Sequence, residues 1–400
     1  MPKRYCIIGG GIAGITAAET IRAHDGEGDI LVISAEPHPL YSRVSLPAYV
    51  SGELERERVM MRTLRDYAER NIRLFPSERV IEVRPRIRGR TSGGEVKTAS
   101  GKTFEYDALL IATGGRPVEW PHDEVVSERI FRLHTLDDAL RLREFFNRHP
   151  ARFASLASRR AGTPASLAKR GESARRSVGR VIVAGGGFIA LELAEIFRTK
   201  KFDVTFLVRG PQFWSGKWVD PADHDRLTDL WKKNGVRAIF GDAVREMEEN
   251  NGAVRIRTTA GRDIVADCVA IAIGIECEPD FVPRKILGSL ASKNLEARLP
   301  NGVVVNKYLE TEFPNVWAAG DAMRCAADGE PQGSQNWSSA VLSGQAAGMN
   351  MMGEYGRGTR KVFRLPPRYS VGHFGAVLKW ENGRSFFKSN PDPEGSPRGG

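Results

Sequence analysis

The chain has 400 residues, of which 41% are apolar and 27% charged, and 59 Lys and Arg against 49 Asp and Glu leave a net charge of +10. That is too long for one hydrophobic core and too apolar for a disordered chain, so two or three globular domains are expected. No run approaches the roughly 20 apolar residues of a membrane helix. The four cysteines (Cys6, Cys268, Cys277, Cys325) are scattered, with no Cys-x-x-Cys pair and no histidine at ligand spacing. This argues against a disulfide framework or a metal site, and for small apolar residues in a reducing cytoplasm.

The chain opens Met-Pro-Lys-Arg and enters a strand-like run by Tyr5, so no signal peptide is expected ahead of the fold. Tyr5-Cys-Ile-Ile-Gly9-Gly-Gly11-Ile-Ala-Gly14 reads as a buried strand ending in a glycine turn. A helical stretch follows, then a second strand, Asp29 to Glu36. Leu109-Leu-Ile-Ala112-Thr113-Gly114 is an apolar strand that ends in a small-residue turn. Residues 151 to 180 carry eight Lys or Arg against one acid, Glu172, and show no apolar periodicity. Residues 151–179 are therefore read as a solvent-exposed insertion.

The opening pattern then returns. Arg180-Val-Ile-Val-Ala-Gly185-Gly-Gly187-Phe188-Ile189-Ala190 is again strand and glycine turn, with a helical stretch and a second strand, Phe202 to Arg209. Val269-Ala-Ile-Ala-Ile-Gly274 matches the Ala-Thr-Gly strand in shape and position. Thr311 to Asp321 is a short strand closing on Gly320-Asp321, and a helix with a polar start follows from Asn336-Trp337. Tyr369 to Arg384 reads as a hairpin with an Asn382-Gly383 turn, and Ser389 to Gly400 as a disordered tail.

Each repeat is a βαβ unit, and its chemistry explains the glycines. A dinucleotide's pyrophosphate sits at a helix N-terminus, where free N–H groups and the dipole stabilise negative charge. The first glycine permits the turn, the second lets backbone approach the phosphate, and the third lets helix and strand pack. One such motif is weak evidence. Two in one chain, each in strand and helix context, point to two dinucleotide sites.

The order of glycine motif, Ala-Thr-Gly, glycine motif, Gly274 turn and Val-Trp-Ala-x-Gly-Asp resembles the pyridine nucleotide-disulfide oxidoreductase superfamily. Pro37 to Pro47 resembles its rubredoxin, ferredoxin and nitrite reductase branch. The resemblance implies an α/β fold with two Rossmann-like domains of the three-layer ββα type and a short C-terminal segment. Residues 1–115 plus 282–350 would form a split FAD domain and 116–281 the NAD(P) domain. Residues 351–400 would be a hairpin and tail.

Implied FAD contacts are Gly9, Gly11, Gly14, Glu36 (adenosine ribose), Arg43, Ala112, Thr113, Gly114, Gly320, Asp321 (ribityl chain), Asn336 and Trp337. Implied NAD(P) contacts are Gly185, Gly187, Phe188, Ile189, Ala190, Glu192 (near the nicotinamide), Arg209 and Gly274. No catalytic acid or base is required beyond these. Arg209 stands where NADH sites carry an acid, and arginine suits the 2′-phosphate of NADPH; both nucleotides stay open.

The resemblance implies an NAD(P)H:acceptor oxidoreductase that passes hydride to the flavin and electrons on to a ferredoxin or rubredoxin. The alternatives are the flavin subunit of a larger oxidoreductase, an NAD(P)H oxidase, and a nucleotide-sensing protein resembling apoptosis-inducing factor. No redox cysteine stands near Val44, so electrons are expected to leave the flavin directly. The short C-terminal segment puts the family's usual dimer in doubt, and suits a monomer or a partner subunit. The basic insertion reads as a solvated loop, a docking surface for an acidic carrier, or a nucleic-acid or membrane-surface contact. Phe153 is the lone aromatic among its charges, which weighs against nucleic acid.

Overall fold

The computed structural model describes residues 1–88, 91–120, 127–149, 179–213, 220–250, 252–277, 279–283, 302–325, 336–353, 360–363, 368–373, 376–381 and 384–389. The basic insertion from 151 to 178, the Asn382-Gly383 turn and the tail beyond Ser389 lie outside them. The main elements are β1 (Arg4–Ile8), α1 (Ile12–His24), β2 (Asp29–Ile33), α2 (Leu46–Ser51), β3 (Ile72–Phe75), β4 (Ala108–Ile111) and β5 (Ile130–Phe131). They continue with α3 (Leu136–Arg148), β6 (Arg180–Ala184), α4 (Phe188–Thr199), β7 (Asp203–Val208), α5 (Pro221–Lys233), β8 (Val236–Phe240), β9 (Cys268–Ile271), β10 (Val316–Ala318) and α6 (Trp337–Met351).

The chain divides into two compact units. The first comprises Met1–Val44, Arg56–Arg116 and Ile275–Pro366. Its parallel sheet runs β10-β4-β1-β2-β3, with Cys6 opposite Leu31 on one side and Leu109 on the other. Tyr5 to Ile8 and Ala108 to Ile111 are buried throughout, as strands covered on both faces must be. Helix α1 is buried along most of its length because α6 lies against it at backbone distance. A Cβ on Gly344 would strike the Ala13 carbonyl, and one on Gly348 would come within 2.8 Å of the Ala17 carbonyl oxygen. Small residues in both helices make that approach possible. An antiparallel sheet of Val80–Arg88, Thr91–Thr98 and Thr103–Tyr106 completes the unit.

The second unit comprises Ser45–Glu55, Pro117–Gly274 and Pro367–Gly400. Its sheet runs β8-β7-β6-β9-β5, the same order of first, second and third strands as in the first unit. Phe145, Phe146, Phe197 and Phe202 pack ring against ring beside it. Thr135 and Asp138 form a reciprocal capping box that starts α3, satisfying amides the helix leaves unpaired.

Two features depart from the sequence outline. Ser45–Glu55 lies inside the span 1–115, yet it groups with the second unit. Lys200 donates to the Ser51 carbonyl at 2.8 Å, Arg143 pairs with Glu55 at 3.1 Å, and the Arg143 guanidinium stands 4.5 Å over the Tyr49 ring. In the C-terminal segment, the arm expected to be one hairpin strand is two. Arg368–His373, Ala376–Glu381 and Arg384–Ser389 form a three-stranded antiparallel meander, with Val371 opposite Leu378 and Leu378 opposite Phe387.

Candidate functional site

The three glycines of the first turn act differently. Gly9 has φ +117°, and a Cβ there would strike the Ala112 carbonyl; one on Gly14 would strike the Gly9 carbonyl. Both positions need glycine for packing. Gly11 is different: a Cβ there would meet nothing within 4 Å. Gly11 is also the N-cap of α1, which has no side-chain cap and no acid in its first turn. The start of this 13-residue helix is thus left without a side chain over it at Gly11, and a helix start of that kind favours negative charge.

The second turn repeats this design. Gly185 has φ +134° and stands against the Ala272 carbonyl, as Gly9 stands against that of Ala112. Gly187 is the uncapped N-cap of α4. Phe188 and Ile189 are half-buried in its first turn and Ala190 is fully buried. Gly274, at φ +119°, is exposed after β9. Arg209 is exposed directly after β7.

Glu192 follows on α4, half-buried, and its carboxyl is pushed up to about 7 by desolvation and then by the like charge of Glu195. A carboxyl at that value exchanges protons near neutral pH.

In the first unit a polar constellation surrounds the glycine turn. Glu36 accepts from the Tyr41 hydroxyl at 2.6 Å and from the Arg43 guanidinium. A carboxylate offers about four lone-pair sites, so these two bonds leave capacity for ribose hydroxyls. Thr113 and Gly114 are half-buried beyond β4, Gly114 with φ +68°. Backbone bonds carry the Gly-Asp turn to the same place: Ala319 N–H donates to the Ile111 carbonyl at 3.0 Å, and Gly320 N–H to Ser343 Oγ at 2.9 Å. Asn336 caps α6 by accepting from Ser339 N–H at 2.8 Å. Trp337, half-buried, opens that helix.

Asp321 decides what this constellation can hold. Its carboxylate accepts no hydrogen bond among the described residues. Desolvation pushes it up to about 6, with the charges of Arg43 and Arg324 acting in the opposite direction. Part of the residue still meets solvent. A crowded carboxylate that keeps an open side is expected at a concave surface that takes a hydroxyl-bearing ligand.

Sequence reasoning missed Tyr41, Arg324 and Ser343. Tyr41 sits inside the Pro37–Pro47 stretch, five residues after the glutamate that it bonds. The other two carry no sequence signal, since their partners come from turns and helices distant in the chain. All four cysteines are buried thiols, and burial pushes the Cys6 thiol up to about 12.

The model of the pyridine nucleotide-disulphide oxidoreductase family matches residues 3–344. The chain belongs to this family. It is an oxidoreductase that uses FAD and NAD(P)H. Open Gly11, the two helix starts without side-chain caps and the partly exposed carboxylate of Asp321 fit the phosphates and hydroxyls of dinucleotides.

Among relatives, the chain is 27% identical over 354 residues to the NADH-dependent phenylglyoxylate dehydrogenase subunit epsilon of Aromatoleum evansii, covering 88% of this chain and 73% of that one. It is 25% identical over 354 residues to the ferredoxin–NAD(+) reductase component of the 3-phenylpropionate/cinnamic acid dioxygenase of Photorhabdus laumondii, covering 88% and 78%. The fold matches the reductase in a covalent putidaredoxin reductase–putidaredoxin complex with a TM-score of 0.72 at 24% identity, over 94% of this chain and 80% of that one.

Proposed function

We propose that the first unit holds FAD, that the second unit holds NAD(P), and that electrons pass to a small redox protein. The observation that carries this is the pair of glycine turns with matched contacts, Gly9 on Ala112 and Gly185 on Ala272. Gly11 and Gly187 present backbone amides to the two pyrophosphates. Glu36, held by Tyr41 and Arg43, accepts from the adenosine ribose, and Asp321 accepts from the ribityl hydroxyls. Ala112, Thr113, Gly114 and Gly320 line the approach, and the N-terminus of α6 at Asn336-Trp337 favours negative charge on the reduced flavin.

Phe188, Ile189, Ala190 and Gly274 shape the second site, and Glu192 stands near the nicotinamide, able to hold or release a proton. Arg209 favours the 2′-phosphate of NADPH. Bound together, the two cofactors supply the hydride and electron chemistry, while the protein supplies orientation and charge.

A ferredoxin-like acceptor is supported by the Photorhabdus reductase component. A second reading, the flavin subunit of a larger oxidoreductase, is supported by the Aromatoleum relative, itself named as a subunit. Buried thiols suit the reducing cytoplasm. Among the described residues no helix is long and apolar enough to cross a membrane.

The test is anaerobic stopped-flow reduction of the yellow protein with NADPH and NADH side by side, followed by mixing with oxidised ferredoxin or with oxygen. Rapid bleaching followed by fast reoxidation with ferredoxin is expected. Flavin that neither nucleotide reduces would sink the reductase reading.

A further inference from the structure

The chain directly after Gly320-Asp321 buries a positive charge, that of Arg324. Arg324 lies in the short strand Met323–Cys325 with 9% of its surface exposed. It makes no ion pair among the described residues. Its Nη1 instead donates to two main-chain carbonyls, that of Asp321 at 3.1 Å and that of Met323 at 2.7 Å.

Room for this side chain is made just before the strand Val303–Val305, which pairs with Met323–Cys325. Gly302 has φ +145°, and a Cβ there would stand 3.1 Å from Arg324 Cγ, 3.3 Å from Nη1 and 3.0 Å from the Ala322 carbonyl oxygen.

Burying a guanidinium without a bonded carboxylate is costly, and the cost is tolerated where negative charge lies close by. The nearest acid on the same turn is Asp321, whose carboxyl Arg324 acts on electrostatically. One guanidinium nitrogen that donates to two carbonyls ties the backbone between Asp321 and Met323 together.

We propose that Arg324 is a positioning residue for Asp321, which clamps the turn presenting that carboxylate and keeps a buried positive charge beside it that favours the reduced, more negative flavin. This rests on Asp321 being a flavin contact. The clamp sets how firmly FAD is held, and the charge sets how readily it accepts electrons.

The test compares the flavin-loaded protein with its Arg324→Gln, Arg324→Lys and Asp321→Asn variants. FAD dissociation is read by fluorescence, the two-electron midpoint potential by dye equilibration, and folding by thermal melting. Arg324→Gln should weaken FAD binding about tenfold, or about 1.4 kcal/mol. It should also cut the preference for reduced over oxidised flavin about tenfold, a lowering of about 30 mV for a two-electron couple.

Arg324→Lys should restore the potential, since the charge remains, while FAD stays more weakly held. A purely structural role would lower melting temperature and affinity in both variants and leave both potentials at the wild-type value, which overturns the proposal. Should Arg324→Gln fail to fold, the lysine variant decides: unchanged FAD affinity, or an affinity that falls together with the melting temperature, overturns the clamp, and weaker FAD affinity at an unchanged melting temperature supports it. Asp321→Asn tests the underlying reading separately. FAD affinity that ignores this substitution removes Asp321 from the flavin site whatever Arg324 does.

Discussion

Replacing Gly11 and Gly14 with alanine, one at a time, separates phosphate approach from packing within a single turn. A methyl on Gly14 would drive into the Gly9 carbonyl oxygen and stand 3.1 Å from Ile7 Cγ2. That carbonyl has little freedom, because Gly9 is itself pressed against Ala112. Overpacking of this kind costs about 1–3 kcal/mol, and the better helix propensity of alanine returns up to about 1 kcal/mol. With the Cβ driven into the Gly9 carbonyl oxygen, the cost lies in the upper part of that range and a net loss of about 1–2 kcal/mol remains. For a unit of this size each kcal/mol moves the melting point by about 2–4 °C, so Gly14→Ala should lower it by about 2–8 °C.

Gly11 sits at φ −77° with nothing within 4 Å of a Cβ, so Gly11→Ala should still fold, with a loss of about 0.5–1 kcal/mol because alanine is a poorer N-cap than glycine. Its methyl stands where a phosphate would meet the amides, and FAD affinity should fall at least about tenfold, or about 1.4 kcal/mol. The assay pairs thermal melts of the apoprotein with fluorescence titration of FAD. Melts are run without FAD because a ligand that binds only the folded state raises stability by itself. The reasoning is refuted if Gly11→Ala binds FAD as wild type does, or if Gly14→Ala melts with wild type.

Three further outcomes are expected. Arg209→Ala should raise the Michaelis constant for NADPH about tenfold at low salt and leave that for NADH unchanged, because only the 2′-phosphate forms a charge-assisted bond; equal shifts for both nucleotides would exclude 2′-phosphate recognition. Glu192 has a folded value of about 7 against an ordinary 4.5, so the folded chain binds more protons than the unfolded one between those limits. Stability then falls as pH rises through that window, by on the order of 2–3 kcal/mol, and Glu192→Gln should raise the melting point at pH 8 while leaving it unchanged at pH 4. Gly344→Leu should force α6 away from the Ala13 carbonyl and lower the melting point by more than Gly14→Ala does; a smaller loss would show that the two helices can separate without cost.

The sequence by itself determined both glycine turns and the strands that flank them. These follow from local demands: unbroken apolar runs must be covered on both faces, and Gly9 and Gly185 meet the strand turn that follows in each unit. It also placed Asp321 and the Asn336 cap, because each lies at the end of a short, self-contained motif. What needed tertiary structure are the contacts made between distant segments. Glu36 is legible in the sequence as an acid after the second strand, but only folding shows that Tyr41 and Arg43 share its carboxylate. Ser45–Glu55 looks like part of the first domain in order along the chain, yet Lys200 and Arg143, remote in sequence, bind it to the second unit. Arg324 reads as an ordinary charge in a turn, and its burial depends on Gly302 making room from a distant segment. Periodicity reports which face of an element is covered; it does not report which distant group does the covering, and side-chain chemistry at a site depends on that group.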